Sequence, residues 1–242
     1  MHPKATRGPR RTALLLLVAG TVLATLVTGA VPTYSLDTRQ TGRRDHRGFP
    51  LYYTDDSGLH LRLCESGTRQ CQFADRRDLT PPQGENFYWM ATATVRSQRG
   101  PIEVEFALEA AFGGARGRLP IVFDRLRIRG HLREAGRYIL DHPYGSTRFR
   151  AITVAEQRNV NFTVDRFCSR DRRGFCNERI TNFLRTTGKA PKGYIGFGAR
   201  ATTVSGGTFR NSLVLRTADD QVIGETDRFV VMGRRAGRLA NR

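Results

Sequence analysis

A chain of 242 residues with forty Lys and Arg against twenty-two Asp and Glu carries a formal charge of +18, and 39% of it is hydrophobic. That much apolar material excludes a disordered polyelectrolyte, and 25 Gly and 10 Pro spread along the chain exclude a long coiled coil. Net basic charge speaks to solubility and to attraction of polyanions, not to fold or activity.

The first element is an export segment. Lys4, Arg7, Arg10 and Arg11 precede a run from Thr12 to Val31 without a charged residue. Positive charge stays on the cytoplasmic side, so the chain after Val31 is expected outside. Residues 1–30 read as a signal peptide or an N-terminal membrane anchor. Thr28-Gly29-Ala30 offers a small-x-small cleavage site, while the apolar run of residues 12–31 matches the ~20 residues of a bilayer span. Arg10-Arg11 gives a weak twin-arginine pattern. Both readings place the product in the medium or on the outer face of the cytoplasmic membrane. Residues 1–30 hold four basic and no acidic side chains, so the rest keeps +14 of the +18. Only Lys4, Lys189 and Lys192 are lysines, a skew that points to genome composition rather than to guanidinium chemistry at each site.

Residues 31–47 are polar and basic and read as a linker, 48–233 as a β-rich extracytoplasmic domain of one or two packed sub-domains, and 234–242 as a basic tail. Leu51–Tyr53 and Leu59–Leu63 flank Asp55-Asp56-Ser57-Gly58, a hairpin signature. Two aspartates in one turn supply too few oxygens for calcium, and Asp, Ser and Gly are what such a turn requires. In Phe87-Tyr88-Trp89, strand alternation predicts Phe87 and Trp89 in the core and Tyr88 outside, a possible aromatic contact for a ligand. Ile102, Val104, Phe106 and Leu108 alternate with Glu103, Glu105 and Glu109. Leu126 and Ile128 alternate with Arg125, Arg127 and Arg129. Both segments have the period of two of half-buried strands. If Gly113–Gly117 turns the chain about Ala115, Glu105 stands opposite Arg125 and Glu103 opposite Arg127. Otherwise the free Arg125-Arg127-Arg129 ladder is the best polyanion-binding candidate. Short strands continue through the Pro143–Gly145 turn and the Ala218-Asp219-Asp220 turn, and residues 177–188 are the best helix candidate. The fold class expected is all-β, an antiparallel sandwich or barrel with at most one or two short helices.

The four cysteines fall into two local pairs, Cys64 with Cys71 and Cys168 with Cys176. Export favours two local disulfides. The gaps exceed zinc-ligand spacing and no histidine lies within either loop.

The blocks GFPLYYTDDSGLHLRLCE, FYWMATA, LRIRGHLREAGRYILDHPYG, PKGYIG and FVVMGR resemble a group of exported bacterial proteins, some with a similar segment ahead of immunoglobulin-like repeats. The resemblance covers about residues 48–233. It implies a secreted or surface-displayed bacterial β protein and carries no catalytic residue.

Chemistry-bearing constellations are sparse. His142 beside Asp141, with His131 and Asp124 upstream, could assemble an acid/base group, but Pro143 and Gly145 suit a structural histidine at a strand end. Ser205 lacks the glycine of a nucleophile elbow. Glu103, Glu105 and Glu109 read as a solvated strand face rather than a glycosidase pair across a cleft. No zinc motif, phosphate loop, dinucleotide fingerprint, recognition helix or RNA-binding motif occurs, so no catalytic residue, metal, cofactor or specific nucleic acid is expected. The expectation is an exported structural or interaction protein of the bacterial envelope. The alternatives are a polyanion- or glycan-binding module and an extracellular hydrolase.

Overall fold

The computed structural model describes residues 41–64, 68–71, 79, 84–114, 116–152, 158–167 and 180–237. The export segment, Cys168 and Cys176, and the end of the tail lie outside the described residues.

Alternation decides the three longest strands. In β3 (Glu85–Ser97), β4 (Gly100–Gly113) and β5 (Leu119–Gly130), Ala93, Val95, Ile102, Val104, Phe106, Leu126 and Ile128 turn inward and are buried. Their neighbours Thr94, Glu103, Glu105, Arg127 and Arg129 turn to the opposite face. The remaining strands are short: β1 (Tyr53–Thr54), β2 (His60–Arg62), β6 (Gly136–His142), β7 (Gly145–Ala151), β8 (Val160–Phe167), β9 (Arg185–Thr186), β10 (Thr202–Ser205), β11 (Leu213–Thr217), β12 (Val222–Thr226) and β13 (Arg228–Arg235).

Every strand pairing is antiparallel. One curled sheet runs β1-β2-β13-β3-β4-β5-β8, with β10 attached to β13 and β9 to β10. A second runs β12-β11-β6-β7. Tyr138, Leu140, Leu213, Leu215 and Ile223 of the second sheet share one core with the inward residues of the first. The fold is all-β, as expected.

The hairpin joining β4 to β5 has a different register from the expected one. Glu105 pairs with Arg127 and Glu103 with Arg129, because the pairing centres on Arg116 rather than Ala115. The amide of Gly117 closes this turn on the carbonyl of Gly114. A two-residue slip preserves side-chain parity, so the faces are as expected although the partners are not.

Two further expectations are corrected. Phe87, Tyr88 and Trp89 are all buried, because the β3–β4 register shifts between Phe87 and Trp89. This bulge interrupts the alternation: Tyr88 and Trp89 enter the main core while Phe87 joins a smaller cluster with Met90, Ala107 and Met232. The described part of the helix candidate, residues 180–188, contains no helix. Ile180, Phe183 and Leu184 have helical spacing and are buried, but the backbone between them is committed to other partners. Trp89 Nε1 donates to the carbonyl of Leu184 at 3.0 Å and Tyr144 Oη to that of Asn182 at 2.8 Å. The amide of Phe183 donates to Asp55 Oδ2 at 2.9 Å. Tertiary bonds thus replace the intrahelical ladder, and Arg185–Thr186 pair with β10.

The Asp55 turn is as expected. Asp55 Oδ1 accepts from the amides of Ser57 and Leu59, each at 2.9 Å, while β1 pairs with β2. In the turn between β11 and β12, Asp220 takes φ 72°, a conformation that aspartate tolerates better than most residues.

A mixed-charge groove as the candidate functional site

The outer face of the larger sheet is divided between apolar and charged side chains. At one end, Cys64 and Cys71 form a disulfide, with the 3₁₀ turn Arg69–Cys71 inside its loop. Its sulfur-bearing residues pack with Phe87, Met90, Ala107 and Met232 into a small apolar wall. Gly198 touches this loop: with φ +72° and a would-be Cβ at 2.2 Å from the carbonyl oxygen of Arg69, the position excludes a side chain. Beside that wall opens a groove of about 890 Å³. It crosses from Arg228 and Val230 on β13, over Thr92, Thr94 and Arg96 on β3, to the glutamates of β4 and the arginines of β5.

The three arginines of β5 stand in different electrostatic surroundings. Arg125 has a side chain only 8% exposed. Its guanidinium makes a bidentate contact with Asp165 of β8, both bonds 2.8 Å. It also reaches Glu109 at 2.8 Å and Glu85 at 3.6 Å, and lies 4.9 Å from the centre of the Phe123 ring. Burial opposes its charge, but the Asp165 hydrogen bonds and the Glu109, Asp165 and Glu85 charges hold it above its ordinary value. Arg127 faces Glu105 at 3.3 Å. The Arg129 side chain makes no hydrogen bond or ion pair among the described residues, and its Nε is buried without a hydrogen-bond partner. Burial, then the Arg127 and Arg158 charges, pull its guanidinium below its ordinary value.

Glu109 departs from the expected solvated strand face. It is 4% exposed. Burial pushes its carboxyl up to about 8, and Glu105 and Glu85 add to the rise. Arg125 works the other way, but its single positive charge is shared among three carboxylates. Glu109 therefore stands against Arg125 and shut from solvent, keeping its proton up to about pH 8.

The ladder Arg125, Arg127 and Arg129 lines the groove, with two of its three members matched by carboxylates of the chain. Tyr88 is no surface aromatic: it is fully buried, and its hydroxyl donates to the carbonyl of Pro50 at 2.6 Å. Sequence alternation missed this because it does not register a bulge. Asp165 and Arg158 were also missed, since no local pattern couples them to β5. Only the β5–β8 register sets Asp165 opposite Arg125 and Asn161 opposite Arg129.

His142 is 2% exposed. Its Nδ1 accepts from the amide of Tyr144 at 3.2 Å, which makes Nε2 the donor to Thr147 Oγ1 at 3.0 Å. The adjacent Asp141 is bound at 2.9 Å by Arg216, not by the histidine. His142 thus has the geometry of a turn-stabilising residue. No group of three metal-ligating side chains occurs among the described residues, and no helix among them is long and apolar enough to cross a membrane. Cys64 and Cys71 are bonded to each other as expected, and the Cys168–Cys176 pairing falls outside the described residues. Comparison with family models, with curated proteins and with solved structures found no match to this chain.

Proposed function

We propose that this chain is an exported interaction protein of the bacterial envelope, without a catalytic role, and that its β domain presents the outer-face groove to an envelope component. The groove carries the reading: about 890 Å³ of concave surface on an otherwise regular sheet face, lined by both charge signs and an apolar wall. Pockets with a few placed polar groups are where ligands bind. The Cys64–Cys71 disulfide accords with an oxidising compartment, and the basic start followed by an uncharged run supports export. A module for dense polyanions is favoured less, because Glu105, Glu109 and Asp165 engage two of the three β5 arginines.

The test is retention of the full chain on isolated bacterial envelopes, wild type against Thr94→Trp. Thr94 is exposed on β3 and lines the groove, so an indole there fills the space without touching the core. At least a tenfold drop in retention with an unchanged thermal melt is expected. Equal retention would overturn the proposal.

A further inference from the structure

Arginine side chains at partly buried positions normally find a carboxylate or a carbonyl, because an unmade N–H out of water is destabilising. Arg125 conforms, and Arg127 does so only through one terminal nitrogen that reaches Glu105. Arg129 does not. Its Nε is shut from water without an acceptor, and Nε of Arg127 next along the face is in the same position. Across the strands, the residues opposite Arg129 are Glu103 on β4 and Asn161 on β8, both exposed. The charges that act on it are three cations, Arg127, Arg158 and Arg125, and one anion, Glu105. Two partly buried cations, Arg127 and Arg129, therefore stand side by side at the groove wall, each with its Nε unused.

We infer that Arg129, with Arg127 beside it, seats one oxyanion, a phosphate or carboxylate group, of a groove ligand that is otherwise sparsely charged. The inference rests on the reading of the groove as the ligand face. A guanidinium offers a planar fork of donors that matches either oxyanion. An anion seated here accepts from the terminal Nη groups of Arg129, which have no partner among the described residues, and offsets the mutual repulsion of the arginines. Sparse charge follows from the surroundings. Glu103, Glu105 and Glu225 line the same groove, and Glu85 and Glu109 stand toward the apolar wall. A ligand with an anion at every few ångströms, such as nucleic acid or a sulfated glycan, would set several charges against these carboxylates.

The experiment uses the full chain labelled with ¹⁵N-arginine, titrated at constant ionic strength with inorganic phosphate, with acetate and with a heparin octasaccharide. Phosphate or acetate is expected to shift the Arg129 Nε–Hε resonance in a saturable way, and the anion that saturates first identifies the group. Arg129→Gln is expected to weaken that binding at least tenfold. Arg129→Lys, which keeps the charge and loses the fork, should weaken it about threefold. Arg137→Gln, exposed on β6 of the other sheet, should leave it unchanged. Absence of a saturable shift with both small anions, or undiminished binding by Arg129→Gln, overturns the inference. So does a heparin affinity that exceeds both small anions and survives Arg129→Gln. Envelope retention separates the two levels. If Arg129→Gln is retained while Thr94→Trp is lost, the oxyanion seat falls and the groove stands; if both are retained, the groove reading falls first.

Discussion

Arg125 and Arg129 lie on one strand and one face, yet they occupy opposite electrostatic situations. Arg125 meets Asp165, Glu109 and Glu85 and is nearly closed from solvent. Arg129 has an exposed glutamate and an exposed asparagine across the strands and makes no ion pair among the described residues. The difference arises from β8, which brings Asp165 to one position and Asn161 to the other. A formal charge of +18 therefore conceals its distribution. Availability of a cation is decided by the neighbouring strand and not by the count.

The largest effect is expected at Arg125. Arg125→Gln leaves Glu109 and Asp165 facing each other without the guanidinium, and removing one partner from a buried ionic cluster costs about 3–5 kcal/mol. A urea denaturation curve measures it, and a loss under about 1 kcal/mol would mean that the cluster is not a structural unit. Next in size is the disulfide that closes the same end. Its eight-residue loop corresponds to about 2.5 kcal/mol in the chain-entropy model. A Cys64→Ala, Cys71→Ala double variant should lose stability of that order, read from its midpoint against wild type.

Glu109 sharpens the contrast through pH. Its folded value is about 8 because of burial, against about 4.3 for an unfolded chain. Between these values the folded state holds the extra proton, so this group's contribution is full below about pH 4.3 and is lost as pH rises through about 8. Glu109→Gln should match wild type near pH 5 and exceed it by about 1–3 kcal/mol at pH 9. Parallel pH–stability curves for the two proteins would contradict this. The smallest effect belongs to the other end: Arg129→Gln should change stability by no more than about 0.5 kcal/mol, since no partner is lost. A large loss there would reveal an interaction that makes Arg129 resemble Arg125.

Much of this contrast was readable in residue order. The alternation of Val104 and Phe106 with Glu103 and Glu105, and of Leu126 and Ile128 with Arg125 and Arg127, placed the charged face correctly. Period two reports parity and nothing more, so the ion pairing was off by one pair along the ladder. Tyr88 failed because a bulge leaves no trace in an aromatic run. The helix over residues 177–188 failed because Ile180, Phe183 and Leu184 satisfy helical spacing whether or not their backbone is helical. What decided the segment were Trp89, Tyr144 and Asp55, far away in sequence. Burial of Glu109 was equally hidden, since it depends on Arg125 and the apolar wall arriving from other strands.

The position of β13 has a consequence in time. In the larger sheet it lies between β2 and β3, pairing Arg234 with Arg62 on one side and Met232 with Met90 on the other. The first hairpin therefore enters the strand ladder only through β13, although the Cys64 amide reaches the Phe87 carbonyl of β3 directly. In a chain made from its N-terminus, β3, β4 and β5 pair locally before β1 and β2 enter the ladder. Closure then waits for contacts spanning most of the sequence, the kind that form slowly. Until β13 pairs, the larger sheet lacks the strand that joins β2 to β3.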